Sequence, residues 1–174
     1  MTGRDPLRDP APLIRRVYSY VAYRIGEGAE AEDVTGAVFE RALRYRASYD
    51  ASKGDVTAWL IGIARRCLAD RRLTAHEQVD ELELASGEDV AHETARRLDL
   101  RAALAVLSAE DQELLSMRYG ADMTAKQIAE VLDAKTNAVE VRLHRALARL
   151  RAVLDPAVTT DRAASSPSPA EAHP

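Results

Sequence analysis

Cysteine occurs once in the 174 residues, as Cys67, which excludes an internal disulfide framework. Aromatic residues are scarce, at 5% with one Trp and one Phe, so a core must be built mainly from aliphatic side chains. No apolar run approaches the ~20 residues that a membrane-spanning helix requires, and membrane insertion is not expected. Glycine and proline are thin away from the two ends, and Ala and Leu dominate, which favours long helices. The four histidines, His76, His92, His144 and His173, have no metal-ligand spacing, and no Gly-rich loop is suited to cradling phosphate. No metal, cofactor or catalytic constellation is therefore expected, and the chain does not read as an enzyme. The opening MTGRDPLRDPAPL is charged and lacks the apolar core of a signal peptide, which with the lone cysteine points to the cytoplasm.

What is present is charge, unevenly placed. The net charge of −4 averages over segments that differ. Residues 76–100 hold eight acids, Glu77, Asp80, Glu81, Glu83, Glu88, Asp89, Glu93 and Asp99, against two basic residues. The blocks on either side are nearly balanced. This divides the chain into a charged N-terminus (1–12), a first helical domain (13–74), a flexible acidic linker (75–92), a second helical domain (93–154) and a Pro- and Ser-rich disordered tail (155–174). The expected fold is all-α, with two small helical domains, three helices in the first and four in the second.

Apolar spacing sets the expected faces. The first helix shows Leu13, Val17, Tyr20, Val21 and Ile25; the second Val34, Val38, Ala42 and Tyr45, with Phe39 beside them. Gly36, inside the second, suggests the close approach of a neighbour. In the third, Val56, Leu60, Ile63, Ala64, Cys67 and Leu68 point inward, and Arg65, Arg66, Arg71 and Arg72 outward. Cys67 reads as a small core residue on this face. Past the acidic stretch the stripe is Leu98, Ala102, Ala105 and Val106, with Leu104 and Leu107 nearby, and Ser108 caps the helix after it.

Thr124 to Leu154 reads as a short helix, a tight turn and a longer basic helix. Thr124 and Gln127 form a capping box, and Thr136 can cap the second helix. Val139, Leu143, Leu147, Leu150 and Leu154 form its apolar stripe, with Asn137, Val141, Arg145 and Arg149 roughly opposite. A helix-turn-helix places such a face in the DNA major groove. An ordinary bundle with a solvated Arg-rich face has the same pattern, so both readings stand on the pattern alone. Val141 on the polar side favours DNA, because a thymine methyl offers it an apolar contact.

Three stretches in order resemble one family, the extracytoplasmic-function (ECF) sigma factors of the sigma-70 family. AEAEDVTGAVFERAL is similar to the region 2 helix that docks on the clamp helices of RNA polymerase. WLIGIARRCLADRRL is similar to the helix that faces the −10 promoter element. LSAEDQELLSMRYGADMTAKQIAEVLDAKTNAVEVRLHRALARLR is similar to region 4, the reader of the −35 element.

The resemblance implies an RNA polymerase sigma factor that directs promoter recognition and transcription initiation. Its partners would be core polymerase, through clamp helices and flap, promoter DNA, and an anti-sigma factor. Polymerase binding would fall to Glu32, Asp33, Val34, Val38, Phe39 and Arg41, with Gly36 and Ala37 where a Gln-Glu pair is usual. The −10 element would meet Tyr49, Arg65, Arg66, Asp70 and Arg71, with Arg66 in place of a frequent Asn. The −35 element would meet Arg118, Lys135, Asn137, Glu140, Val141, Arg142, His144 and Arg145. Glu140 stands where Lys or Arg is usual, and an acid there can accept from cytosine N4. Trp59 reads as core more than as a stacking surface. A self-sufficient operator-binding regulator and a helical interaction protein are the alternatives. The first would need a dimerisation surface and a sensor domain, and neither is visible. The acidic stretch could also compete with DNA for the basic helices of the free chain.

Overall fold

In the computed structural model the described residues are 5–77 and 100–154, and among them there is no strand. The acidic stretch and the C-terminal tail, with the expectations attached to them, lie outside these residues. Three helices make the N-terminal block: α1 (Pro10–Ile25), α2 (Ala29–Tyr45) and α3 (Val56–Glu77). Pro10 opens α1 at its first position, where a missing N–H costs nothing, so the helix begins before the expected Leu13. A 3₁₀ turn, Arg46–Ser48, ends α2 and leads into the loop before α3. Helix α3 continues to Glu77, past the expected boundary at 74.

The C-terminal block starts, within the described residues, with helical residues 100–105 (α4) and continues with α5 (Ala109–Leu115). A π-helical turn, Ser116–Gly120, follows directly. Then come α6 (Ala125–Leu132) and α7 (Thr136–Leu154). The caps are largely those that the sequence calls for. Ser108 Oγ accepts from Asp111 N, and Thr124 and Gln127 complete a reciprocal capping box. Asp133 takes a left-handed conformation (φ 49°) to close α6, and α7 starts with Thr136 as its first residue rather than as its cap.

The two blocks pack against each other. One apolar core runs from Leu13, Val17, Tyr20 and Val21 of α1, through Leu60 and Ile61 of α3, to Met117, Met123, Ile128 and Val139 of the C-terminal block. The π-helical turn lies directly on α1: a Cβ on Gly120 would fall 3.0 Å from Ser19 O and Tyr20 Cα. Only glycine lets two backbones come so close. A smaller cluster of Leu104, Leu107, Leu115 and Ala146 joins α4 and α5 to α7.

Several faces differ from the sequence expectation. Tyr45 is exposed although it follows Val38 and Ala42 at helical spacing: it is the last residue of α2, and the buried residues of that helix end at Ala42. Ile61 is fully buried although it lies off the expected stripe, since α3 packs against α6 as well as against α1 and α2. In α4 and the turn after it the buried residues are Ala103, Leu104 and Leu107, while Ala102, Ala105 and Val106 face outward. The phase is one residue later than expected, and Val106 is 68% exposed. At α7 the stripe holds for Val139 and Leu143 but fades toward an exposed Leu154. No neighbour approaches Gly36: a Cβ there would meet nothing within 4 Å.

Candidate nucleic-acid interface

Helices α6 and α7 meet at the tight turn that Asp133 closes, and the packed side of α7 is fixed by Val139, Leu143 and Ala146. Helical periodicity then forces Asn137, Glu140, Val141, His144 and Arg145 outward, and all five are exposed, as is Lys135 in the turn. None of these side chains has a hydrogen-bond or ion-pair partner among the described residues. Val141 is 44% exposed, an apolar side chain set among polar ones. Such an outward surface, with a guanidinium, an amide and a carboxylate on successive turns, has the donors and acceptors to read base edges.

Two arginines of α7 are already engaged. Arg142 reaches Glu110 at 3.2 Å across an exposed gap. Arg149 is not on the free face: it donates from Nε and Nη2 to the two oxygens of Asp111, each at 2.6 Å. This fork, with the Ser108 hydroxyl, holds the buried Asp111 carboxyl below the usual carboxylate range; the Arg149 bonds are the main cause. Arg118 donates to Met123 O at 2.8 Å and so pins the connection between the π-helical turn and α6.

In the N-terminal block, the loop 46–55 and the start of α3 frame a cavity of about 210 Å³, lined by Tyr49, Asp50, Lys53, Asp55 and Trp59 together with Glu130 and Val131 of α6. The Tyr49 and Trp59 rings lie 5.3 Å apart, tilted at 51°. Tyr49 donates its hydroxyl proton to Gly54 O, and burial raises its pKa, with Asp55 and Asp50 adding to the effect. Trp59 is half-buried, packed on the core along one edge and lining the cavity along another.

The basic residues of α3 are spread among different duties. Arg65 turns to the other block, donating to Glu113 Oε1 at 2.7 Å and to Val131 O at 3.2 Å. Arg66 is exposed and has no partner among the described residues. Asp70 accepts from Arg41 at 2.9 Å, and Arg71 pairs with Glu30 at 2.8 Å, so both tie α3 to α2. Along α2, Glu32 and Asp33 are exposed, and Phe39 and Arg41 are half-exposed. Val34 and Val38 are core residues, 5% and 0% exposed, which corrects their expected place on a docking surface. Both sit on the side of α2 that faces α1 and α3 and hold the outer residues from beneath. Cys67 is buried, and burial pushes its thiol up. Among the described residues no group of three His, Cys, Asp or Glu could hold a metal ion, and no helix is long and apolar enough to cross a membrane.

Sequence patterns gave no hint of a third set of residues, those that join the blocks. Glu113 accepts from Arg65 and lies 3.8 Å from Arg24, whose side chain is 8% exposed. Gln127 donates to Asp55, and Arg16 pairs with Asp122 at 3.5 Å. Their partners lie tens of residues away in the chain, beyond the reach of any local pattern.

Comparison with known proteins matches two family models in succession, Sigma-70 region 2 over residues 12–77 and Sigma-70, region 4, over residues 97–150. The ECF RNA polymerase sigma factor BldN of Streptomyces coelicolor is 31% identical over 147 residues, covering 79% of this chain and 56% of that protein. The chain thus spans little more than half of that relative's length. The ECF RNA polymerase sigma factor SigL of Mycobacterium tuberculosis is 29% identical over 160 residues, covering 83% of this chain and 90% of that protein. Among solved structures, the sigma factor RpoE of Bartonella quintana, in complex with the anti-sigma factor NepR, gives a TM-score of 0.70 at 17% identity, over 85% of this chain and 95% of that one. CnrH in complex with the cytosolic domain of CnrY gives 0.60 at 22% identity, over 86% and 84%. These two likenesses establish the fold.

Proposed function

The chain belongs to the sigma-70 family, with the ECF RNA polymerase sigma factors among its relatives, and from that premise we propose that it directs transcription initiation by binding core polymerase and reading two promoter elements. Helix α7 enters the major groove at the −35 element. Asn137, Val141, Arg142 and Arg145 meet base edges, Lys135 and His144 lie beside the backbone, and Glu140 accepts from a cytosine. Arg118 acts mainly by holding the turn before α6 and only secondarily on phosphate. At the −10 element, Tyr49 and Trp59 offer an aromatic wall for an unpaired base, and Arg66 offers charge to the strand. Arg65, Asp70 and Arg71 join it only if they give up their present partners. Core polymerase docks on the outer side of α2, at Glu32, Asp33, Phe39 and Arg41, and its flap on the C-terminal block. An anti-sigma factor is a further partner that this reading expects, since the NepR complex holds a chain of the same fold.

The observation that carries the proposal is the outward face of α7 from Lys135 to Arg145, exposed and largely without internal partners inside a block matched by region 4. Run-off transcription with purified core polymerase tests it. Promoter-dependent transcripts should require the chain and should vanish with Arg142→Ala/Arg145→Ala. Equal transcription with and without the chain would refute the proposal.

A further inference from the structure

Two acids at the start of α5 face two arginines of α7. Glu110 and Asp111 are the second and third residues of α5, just past the Ser108 cap. Arg142 and Arg149 lie seven residues apart, about two turns of helix, and so share one side of α7. The two pairs differ in kind. Arg149 forks onto Asp111 with two bonds of 2.6 Å, and Asp111 is 5% exposed, so this pair fixes how α7 is turned against α5. Arg142 makes a single contact, from Nη2 to Glu110 Oε2 at 3.2 Å, and the two side chains are 40% and 80% exposed.

An ion pair so open to water adds little to stability, and a side chain as exposed as that of Glu110 contributes little packing. What the pair can set is where the Arg142 guanidinium points. Arg142 stands beside Val141 and three residues before Arg145, at the edge of the outward face of α7. It is the only partner of Glu110 among the described residues. A guanidinium carries five N–H donors, and those that Glu110 leaves free suffice for the bidentate contact with guanine O6 and N7. The competing site is a phosphate, which the same long side chain reaches by a change of rotamer. There the Glu110 carboxylate opposes the approach of a second anion.

We propose that Glu110 is a specificity-determining residue of the α7 reading face: it positions Arg142 for a guanine and keeps it off phosphate. Glu110 reads no base itself and acts through Arg142 alone. The proposal deepens the initiation-factor reading and rests on it for the DNA that α7 meets. An exposed tether of this kind holds about a two- to fivefold preference between the two placements of the guanidinium.

The test uses holoenzyme, core polymerase with the full chain, selecting from a duplex library randomised through the distal element. Arg142→Ala identifies the position at which Arg142 is felt, a guanine in the native profile. Glu110→Gln and Glu110→Ala should each lower discrimination at that position about two- to fivefold and leave its neighbours as they were. The freed Arg142 should pick up a phosphate, so that the slope of log affinity against log salt steepens by about 0.9. In the Arg142→Ala background Glu110→Gln should no longer change the profile, a coupling that a role in folding or in bulk charge would not produce. A native guanine preference that Glu110→Gln leaves intact would overturn the proposal, as would an Arg142→Ala profile equal to the native one. Equal gains in affinity for all sequences, with or without Arg142, would make Glu110 a repulsive charge and nothing more, which also overturns it. These outcomes leave the initiation-factor reading standing. A native holoenzyme that selects no distal element would sink that reading, and the proposal with it.

Discussion

Two glycines in helical backbone should respond in opposite ways to the same added methyl. At Gly36 on α2 a Cβ meets nothing within 4 Å, so Gly36→Ala adds only the helix preference of alanine, about 1 kcal/mol of stability. For a chain of this size that raises the thermal midpoint by about 2–4 °C. At Gly120 the methyl would press on the α1 backbone at 3.0 Å, where neither a rotamer change nor a flexible side chain can give way. Forcing atoms into such a contact costs about 1–3 kcal/mol, which exceeds the gain in helix preference. Gly120→Ala should therefore lower the midpoint and loosen the two blocks. Thermal unfolding followed by circular dichroism measures both midpoints, and Trp59 quenching should change only in the Gly120 variant. If Gly120→Ala stabilised the chain as much as Gly36→Ala does, the packing of the π-helical turn on α1 would be refuted.

Other consequences are as direct. Asp111 has a depressed carboxyl pKa, so its fork with Arg149 contributes stability above the unfolded value near ~4 and loses it as pH falls through the lower folded value. Asp111→Asn should flatten that acid limb in a urea titration at several pH values, and an unchanged limb would deny the fork its role. Ile128→Ala, in the fully buried heart of α6, should cost about 2–5 kcal/mol in the same assay. Arg145→Ala should cost about 1–3 kcal/mol of promoter affinity and relax one base position, whereas a uniform loss over all sequences would mark a phosphate contact. Glu140→Lys should strengthen binding at low salt and steepen the salt dependence by about one phosphate, which a titration of affinity against salt would detect.

Local pattern carried the sequence reading a long way where one helix decides the answer. Leu13, Val17, Tyr20 and Val21 repeat at helical spacing and all four are buried. Thr124 and Gln127 form their capping box because both partners lie within one turn. The reading slipped where the period was too short to fix a phase. In α4 and the turn after it, Leu, Ala and Val are dense enough for two faces to look apolar, and packing against α5 and α7 chose Ala103, Leu104 and Leu107. Arg149 looked like a neighbour of Arg145 on one outer face, yet Asp111, well before it in the chain, claims it. The union of the blocks was the least legible feature. Glu113, Gln127 and Asp55 are ordinary polar residues in their own helices and loops, and nothing near Gly120 in the chain announces that α1 lies across it. Such contacts depend on surfaces fitting in three dimensions, which no periodicity records.

The central claim is that one chain reads two separated promoter elements for polymerase. Mapping transcript 5′ ends from a randomised duplex library, with core polymerase and the purified chain, tests it most directly. The account predicts start sites that share two upstream elements at a fixed spacing, with Glu140→Lys altering only the distal one. Start sites without a shared distal element, or unchanged when the chain is left out, would contradict it.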